Sequence, residues 1–555
     1  VGLLAVSIGA AWWIGWTSAF PRWAFERAVE ASGGALEVGE LRGSLIGGAT
    51  IERLVFDSEG TRVEARGLRL RWRPEWLLGG TLRLRTLSAE RIDVQLGPAG
   101  DEPRPPPALP ERLVLPLSVG IDEIAVGELH VRGDGFEAPP VRELVATLRH
   151  DGRAWQLPRL ALRVDGWAAV KGNARLAAEA PFALTARLRA EPALEDYPQL
   201  PPLLLAADGP LEELALVLRM PAPAGRAWIG APESAPRASD RAPGGPDGAP
   251  RTPGRGPRAG ADWLRIETTL APFAPVQLKS LHAALDGFEA AAIGLPGPRT
   301  RLTGTLALVV DEAAPGPAAA GGSLVDLPWT GRLELRNGLA GAVDAGLVPL
   351  ASLSTGIDWR DARLRLDAIE LALEGGGRVA GELGVDTTAR QALFGVSLPP
   401  IDAQLDLAGI DLAQLTGTGW ATELGGTVSL QGDRIEFALD DASRGAVSAN
   451  GKARVDGELL QVETLALRTP AGSIEAAGQV RSEAPWQGDL TGRFRELMPA
   501  RLSALAGIEL PAAIEPLQAL SGQWSVSGEF APTLALETRV QLGEGRYLEM
   551  PLRID

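Results

Sequence analysis

Apolar and polar residues alternate along most of this chain in short runs, and that period of two limits its fold more than any other feature. In Arg91-Ile92-Asp93-Val94-Gln95-Leu96, the residues Ile92, Val94 and Leu96 fall on one face and the polar residues on the other. The same alternation sets out Leu82 and Leu84, Leu160 and Leu162, Leu333 and Leu335, Leu364 and Leu366, and Leu371 and Leu373. A period of two is a β-strand with one apolar face. Where the phase slips, the backbone must compensate. Val63 and Ala65 give way to Leu68, Leu70 and Trp72 across Gly67, so a bulge or turn is expected there. A loose repeat accompanies the alternation. Leu160 precedes Gly172, Ile369 precedes Gly381 and Leu465 precedes Gly478, each at a spacing of about twelve residues that reads as strand, turn, strand.

A chain of 555 residues is too long for one ordinary domain, so several domains or one elongated repeat is expected. The fold class is mainly β: an elongated repeat sheet curled into an open apolar groove, with an N-terminal transmembrane helix and a few short helices. Roughly 30 strands at about 4.8 Å would extend on the order of 140 Å. The apolar face has to be covered. A trough lined by Ile92, Leu366 and their equivalents would suit acyl chains, since each buried CH₂ is worth about 0.8 kcal/mol. Alternation fits an ordinary filled core equally well.

Residues 1–20 carry no charge, and about 20 helical residues span a bilayer core. Trp12, Trp13 and Trp16 stand near the end of the run and Arg22 follows, which marks an anchor leaving the membrane. A cleaved signal peptide is the alternative. Beyond the anchor we expect a membrane-proximal β region at 21–96, a Pro-rich linker at 97–112 and a β-repeat region at 113–220. A disordered insert is expected at 221–261, where large apolar residues are scarce, and a second β-repeat region at 262–555. Short helices are expected at 23–31, 411–415 and 497–506. Val1 and the alternating Leu552-Arg553-Ile554-Asp555 read as interior points of a longer chain.

A formal charge of −16 argues against nucleic acid as a partner. Cysteine is absent, which excludes disulfides, thiolate metal sites and cysteine nucleophiles. His130, His150 and His282 have no ligand spacing and read as surface or turn residues. Asp440-Asp441 reads as an acidic turn and Gly375-Gly376-Gly377 as a hairpin. No nucleophile elbow or phosphate loop occurs, so neither an enzyme nor a cofactor is expected. Arg62, Arg66, Arg69, Arg71, Arg73, Arg83, Arg85 and Arg91 crowd thirty residues. They read as the solvated face of adjacent strands; attraction to anionic headgroups is the second reading.

Several stretches resemble the TamB branch of the AsmA-like family in the N-terminal and middle part. They are Gly39-Glu40-Leu41-Arg42-Gly43-Ser44-Leu45 with Ile51-Glu52-Arg53-Leu54, Leu87-Ser88-Ala89-Glu90-Arg91-Ile92-Asp93-Val94, and Leu115-Pro116-Leu117 with Ile121-Asp122-Glu123-Ile124. Ala271-Pro272-Phe273-Ala274-Pro275 and Leu520-Ser521-Gly522 follow in the same order. The resemblance implies the inner-membrane component of a translocation and assembly module in a Gram-negative-type bacterium. It would be a single-pass protein with its bulk in the periplasm, conducting phospholipid between the membranes. The alternative it implies is assistance in inserting or secreting outer-membrane β-barrel proteins and autotransporters. Phospholipid acyl chains would be its ligands, and a TamA-type barrel would be its partner, bound through a C-terminal part beyond this chain.

Overall fold

A computed structural model describes residues 35–44, 48–58, 61–97, 109, 112–115, 118–133, 136–222, 262–274, 276–311, 327–393, 396–416, 421–444, 447–457, 459–481, 486–506, 517–531, 535–547 and 550–553. The expected anchor with Trp12, Trp13 and Trp16, the helix at 23–31 and nearly all of the insert lie outside these residues. Among the described residues no helix is long and apolar enough to cross a membrane. The chain is mainly β and divides into two units near residues 289–296.

In the first unit each strand pairs antiparallel with the next along most of the chain, as short connections dictate. One junction departs from this. Strand Thr81–Leu96 runs parallel to Ser118–Gly133, with Leu84 opposite Ile121 and Val94 opposite Val131. A parallel neighbour requires the chain to return to its starting end. Strand Thr81–Leu96 has 16 residues, roughly 50 Å at about 3.3 Å each. The connection at 97–117 reaches about 70 Å when extended, enough for that return. The Pro-rich segment thus makes a connection that a two-residue hairpin could not. Met220, Trp263, Ala292 and Ile293 form a small sealed core in the first unit, with Trp263 edge-on to Phe288 at 6.0 Å.

The second unit is an antiparallel succession from Leu302–Val310 to Met550–Arg553, with Gln391–Leu393 and Val396–Leu398 set aside as a separate two-stranded ribbon. Gly375 and Gly376 make the hairpin after strand Arg363–Leu373, at φ 88° and 101°. The two expected short helices are Leu412–Thr416 and Pro499–Ala506.

Phase slips are met by a repeated device. In strand Arg363–Leu373, Asp367 and Ala368 oppose one residue of the next strand, and the apolar series steps from Leu366 to Ile369. Ala368 has φ 45°, the left-handed conformation of a bulge. Leu407 to Ile410 steps in the same way at Gly409 (φ 61°), and Phe494 to Leu497 at Glu496 (φ 51°). At Gly67, where the sequence calls for a bulge or turn, the answer differs. Gly67 takes φ 64°, yet the pairing runs through it without a register shift. The neighbouring strands change phase together there, from Leu54 to Ile51 and from Ile92 to Ala89, so no extra residue is needed.

Ile369 faces Gly381, where a Cβ would stand 2.0 Å from the Gln404 carbonyl oxygen and φ is 147°. Gly381→Ala is expected to lower local stability by about 1–3 kcal/mol. Hydrogen exchange should show faster opening of Arg378–Asp386 and both flanking strands than of the rest of the unit.

Candidate functional site

Antiparallel pairing places apolar residues of successive strands side by side, and in the second unit they line up as ranks. Leu366 pairs with Ile357 on one side and Leu383 on the other, and the rank continues through Ala403, Leu430, Ile435 and Ala453 to Val462. A second rank runs from Ile369 through Gly381, Leu405, Val428, Phe437, Gly451, Leu465, Ala476 and Gly492 to Trp524. The third includes Leu335, Leu353, Leu371, Val379, Leu407, Leu439, Leu467 and Phe494. These ranks contain no charged residue.

Leu333, Leu335, Leu364, Leu366, Leu371 and Leu373 are all half-buried, and polar neighbours such as Arg332, Glu334 and Arg365 are exposed. Leu364 lies between Trp359 and Val385, Leu373 opposite Leu350, and Leu333 between Leu306 and Thr355. In the first unit Leu82 faces Val119, Leu84 lies between Trp72 and Ile121, and Ile92 between Ala65 and Leu129. Val94 lies between Val63 and Val131. Leu160 stands between Ala146 and Gly172, with Leu162 opposite Val170. Leu84 is buried, whereas Leu96, opposite Thr61 at a strand end, is exposed. These residues thus belong to two separately described units. Apart from Leu84 and Leu96 they are half-buried, unlike the sealed core around Trp263.

Ile369, Phe437 and Trp524 join the ranks without standing among the groove residues expected from the sequence, although spacing already sets Ile369 against Gly381. The Ala368 bulge takes Ile369 out of simple alternation with Leu366. The two aromatics do alternate with apolar neighbours, Phe437 with Ile435 and Leu439 and Trp524 with Val526; in the fold Phe437 covers Gly451 and Trp524 covers Gly492, with ring atoms 2.4 Å and 2.6 Å from where a Cβ would be. Each aromatic fills the gap its glycine partner leaves.

The opposite face carries ion pairs. Arg365 donates to Glu382 at 2.8 Å, Arg493 to Glu475 at 3.1 Å and Lys452 to Glu436 at 3.2 Å. Such exposed pairs contribute only about 0–1 kcal/mol each. Their placement is more telling: they mark this face as the hydrated one. Clefts of 840 and 750 Å³ are lined mainly by its side chains, among them Arg363, Arg365 and Glu382 in the first and Arg332, Glu334 and Arg378 in the second.

Among the described residues no cluster of three or more histidines and carboxylates is spaced to hold a metal. Asp441 accepts hydrogen bonds from the Glu423 and Ser443 amides and from Ser443 Oγ, so it secures a strand end and the turn that follows. His150 corrects the expectation of a surface histidine. It is 2% exposed, with its ring 4.5 Å from Trp155, whose Nε1 donates to the Leu113 carbonyl. His130 lies within a strand, half-buried, 3.4 Å from Glu128.

The strongest electrostatic coupling is at Glu64. Hydrogen bonds from Arg53 and Arg66 hold its pKa down from 4.5 to about 2. A depressed folded pKa stabilises the strands above the unfolded value and is lost as pH falls through the folded one. Strands Gly48–Ser58 and Thr61–Trp72 should therefore lose stability between about pH 4.5 and 2. Glu64→Gln should flatten that dependence in amide-exchange measurements, and an unchanged pH profile would contradict the coupling.

Residues 7–162 match the family model of the TamB N-terminal domain. No curated protein and no solved structure matches the chain.

Proposed function

We propose, for a chain whose residues 7–162 match the TamB N-terminal domain, that it acts as a TamB-type protein and that its half-buried apolar ranks carry phospholipid acyl chains between the inner and outer membranes. The role is one of transport, with no catalytic step. The observation that carries this reading is the row of charge-free ranks through Leu366, Ile369 and Leu371, backed by a face of ion pairs. A rank of apolar side chains perpendicular to the strands offers an acyl chain similar contacts at each successive position. A chain moving along it exchanges one set for the next, with about 0.8 kcal/mol gained by each CH₂ that leaves water and regained at every step. The barrier to sliding is therefore small compared with the cost of leaving the strip. The headgroup can remain in water beside it.

The same proposal places the protein at the inner membrane with its bulk in the periplasm, and gives it a TamA-type barrel as partner. Its test compares neighbouring residues on opposite faces. A photo-crosslinking residue at position 366 in living cells is expected to capture phospholipid, and one at 365, whose arginine pairs with Glu382, is not. Capture of unfolded outer-membrane protein at 366, without lipid, would replace the conduit with the assembly role.

Charge placed in the strip gives a second test. Leu366→Asp and Leu373→Asp are each expected to reduce lipid delivery at least tenfold while the protein stays folded, because a carboxylate in an acyl path must be desolvated as a chain passes. Normal delivery by both stable variants would remove the strip around Arg363–Leu373 from the path.

A further inference from the structure

We infer that the turn Pro74–Gly79 of the first unit, with the arginines at its base, docks on an anionic phospholipid bilayer surface. The turn is a single short 3₁₀ segment, Pro74-Glu75-Trp76-Leu77-Leu78-Gly79, between strands Thr61–Trp72 and Thr81–Leu96. Trp76 is 42% exposed there, and the Arg83 guanidinium lies 4.9 Å from its ring centroid. An exposed indole backed by a guanidinium suits a bilayer interface, where the ring enters the headgroup zone and the cation meets phosphate.

The arginine cluster divides according to distance from this turn. Farther along the strands the arginines are neutralised: Arg62 by Asp57, Arg66 by Glu64, Arg69 by Glu90 and Arg91 by Asp93. Beside the turn, Arg71, Arg73 and Arg85 are exposed, and no carboxylate of a described residue stands within ion-pair distance of them. Arg149 is likewise exposed and unpaired, and register places it two strands from Arg83 through Gly120. Glu75 is the acid of the turn itself, and Asp122 is engaged by Arg83. In a chain with a net charge of −16, unpaired positive charge gathered around one exposed tryptophan is a local reversal. A solvated strand face explains the paired arginines but not this group. Anionic headgroups complement it, and an apolar surface alone would not need the arginines. The inference stands whether or not the apolar ranks conduct lipid.

The absence of cysteine allows a direct test with the full chain reconstituted in vesicles. A Cβ at Gly79 meets nothing within 4 Å, so Gly79→Cys can carry an environment-sensitive fluorophore without disturbing the fold. In vesicles containing phosphatidylglycerol, lipid-borne quenchers should reach the label. Half-molar salt, or vesicles of phosphatidylcholine alone, should largely abolish the quenching. Each arginine near an anionic surface is worth about a fivefold change in occupancy. Arg71→Gln, Arg73→Gln and Arg85→Gln together should therefore weaken docking on the order of a hundredfold. Trp76→Ser should reduce quenching while leaving the exchange protection of Thr81–Leu96 intact. Quenching that is absent, or is equal in the two lipids, or persists in the triple-arginine variant, overturns the inference.

Discussion

Everything in this protein depends on keeping one face of each strand apolar through every irregularity of the backbone. A strand has no tolerance for a one-residue slip, because the slip exchanges its faces completely. Left uncorrected at Ala368, it would put Ala368, Glu370 and Ala372 where Ile369, Leu371 and Leu373 stand, and a carboxylate would enter the apolar rank. The bulge takes up the extra residue in a left-handed conformation, so the strand continues with its faces restored. The correction recurs at Gly409 and Glu496, each time with an apolar step of three in place of two. A rank can then cross many strands without meeting a charge, although several strands in the series are irregular.

The same economy governs side-chain volume. Glycines interrupt the ranks where the backbone, or at Gly451 the Phe437 ring itself, leaves no room for a Cβ, and each would leave a gap in the apolar strip. Large neighbours close several of these gaps: Phe437 over Gly451, Phe494 over Gly522 and Trp524 over Gly492. An aromatic ring is suited to this because it brings a large apolar area to a position with no side chain of its own. Glycine is thus needed for backbone approach and the cross-strand aromatic for surface continuity, and neither substitution pattern makes sense without the other.

How much of this was legible in the sequence depends on whether the information is local. Alternation gave the strands, and hairpin spacing gave Leu160 with Gly172 and Ile369 with Gly381, which are direct cross-strand pairs. The glycine run at 375–377 and the short helices at 412 and 499 also carried local signals. Direction was not legible. Nothing in Ile92, Val94 and Leu96 says that the next strand runs parallel, because alternation is the same read either way. Only the length of the Pro-rich connection hints at it. The burial of His150 was hidden for a similar reason: it depends on Trp155, whose indole is held by the Leu113 carbonyl within that connection. The eight-arginine cluster looked uniform because some of its ion pairs, such as Arg62 with Asp57 and Arg69 with Glu90, form across strands, and those could not be assigned before register was known.

Partial burial is the physical state that suits a moving ligand. A sealed core such as Met220 with Trp263 holds its own side chains too tightly to admit another, and a fully exposed apolar strip would invite aggregation. Leu364, Leu366, Leu371 and Leu373 fall between these limits, each sheltered by cross-strand neighbours while retaining accessible surface. The apolar area still open to water is what an acyl chain would cover, so occupation and sheltering are one event. The charged opposite face completes the arrangement. Arg365 with Glu382, and Arg493 with Glu475, gain little stability as exposed pairs, but they make it costly for that face to be covered in place of the apolar one. On the proposed reading, the polar ranks would fix which side of the sheet an acyl chain uses, and the apolar ranks the line along which it would travel.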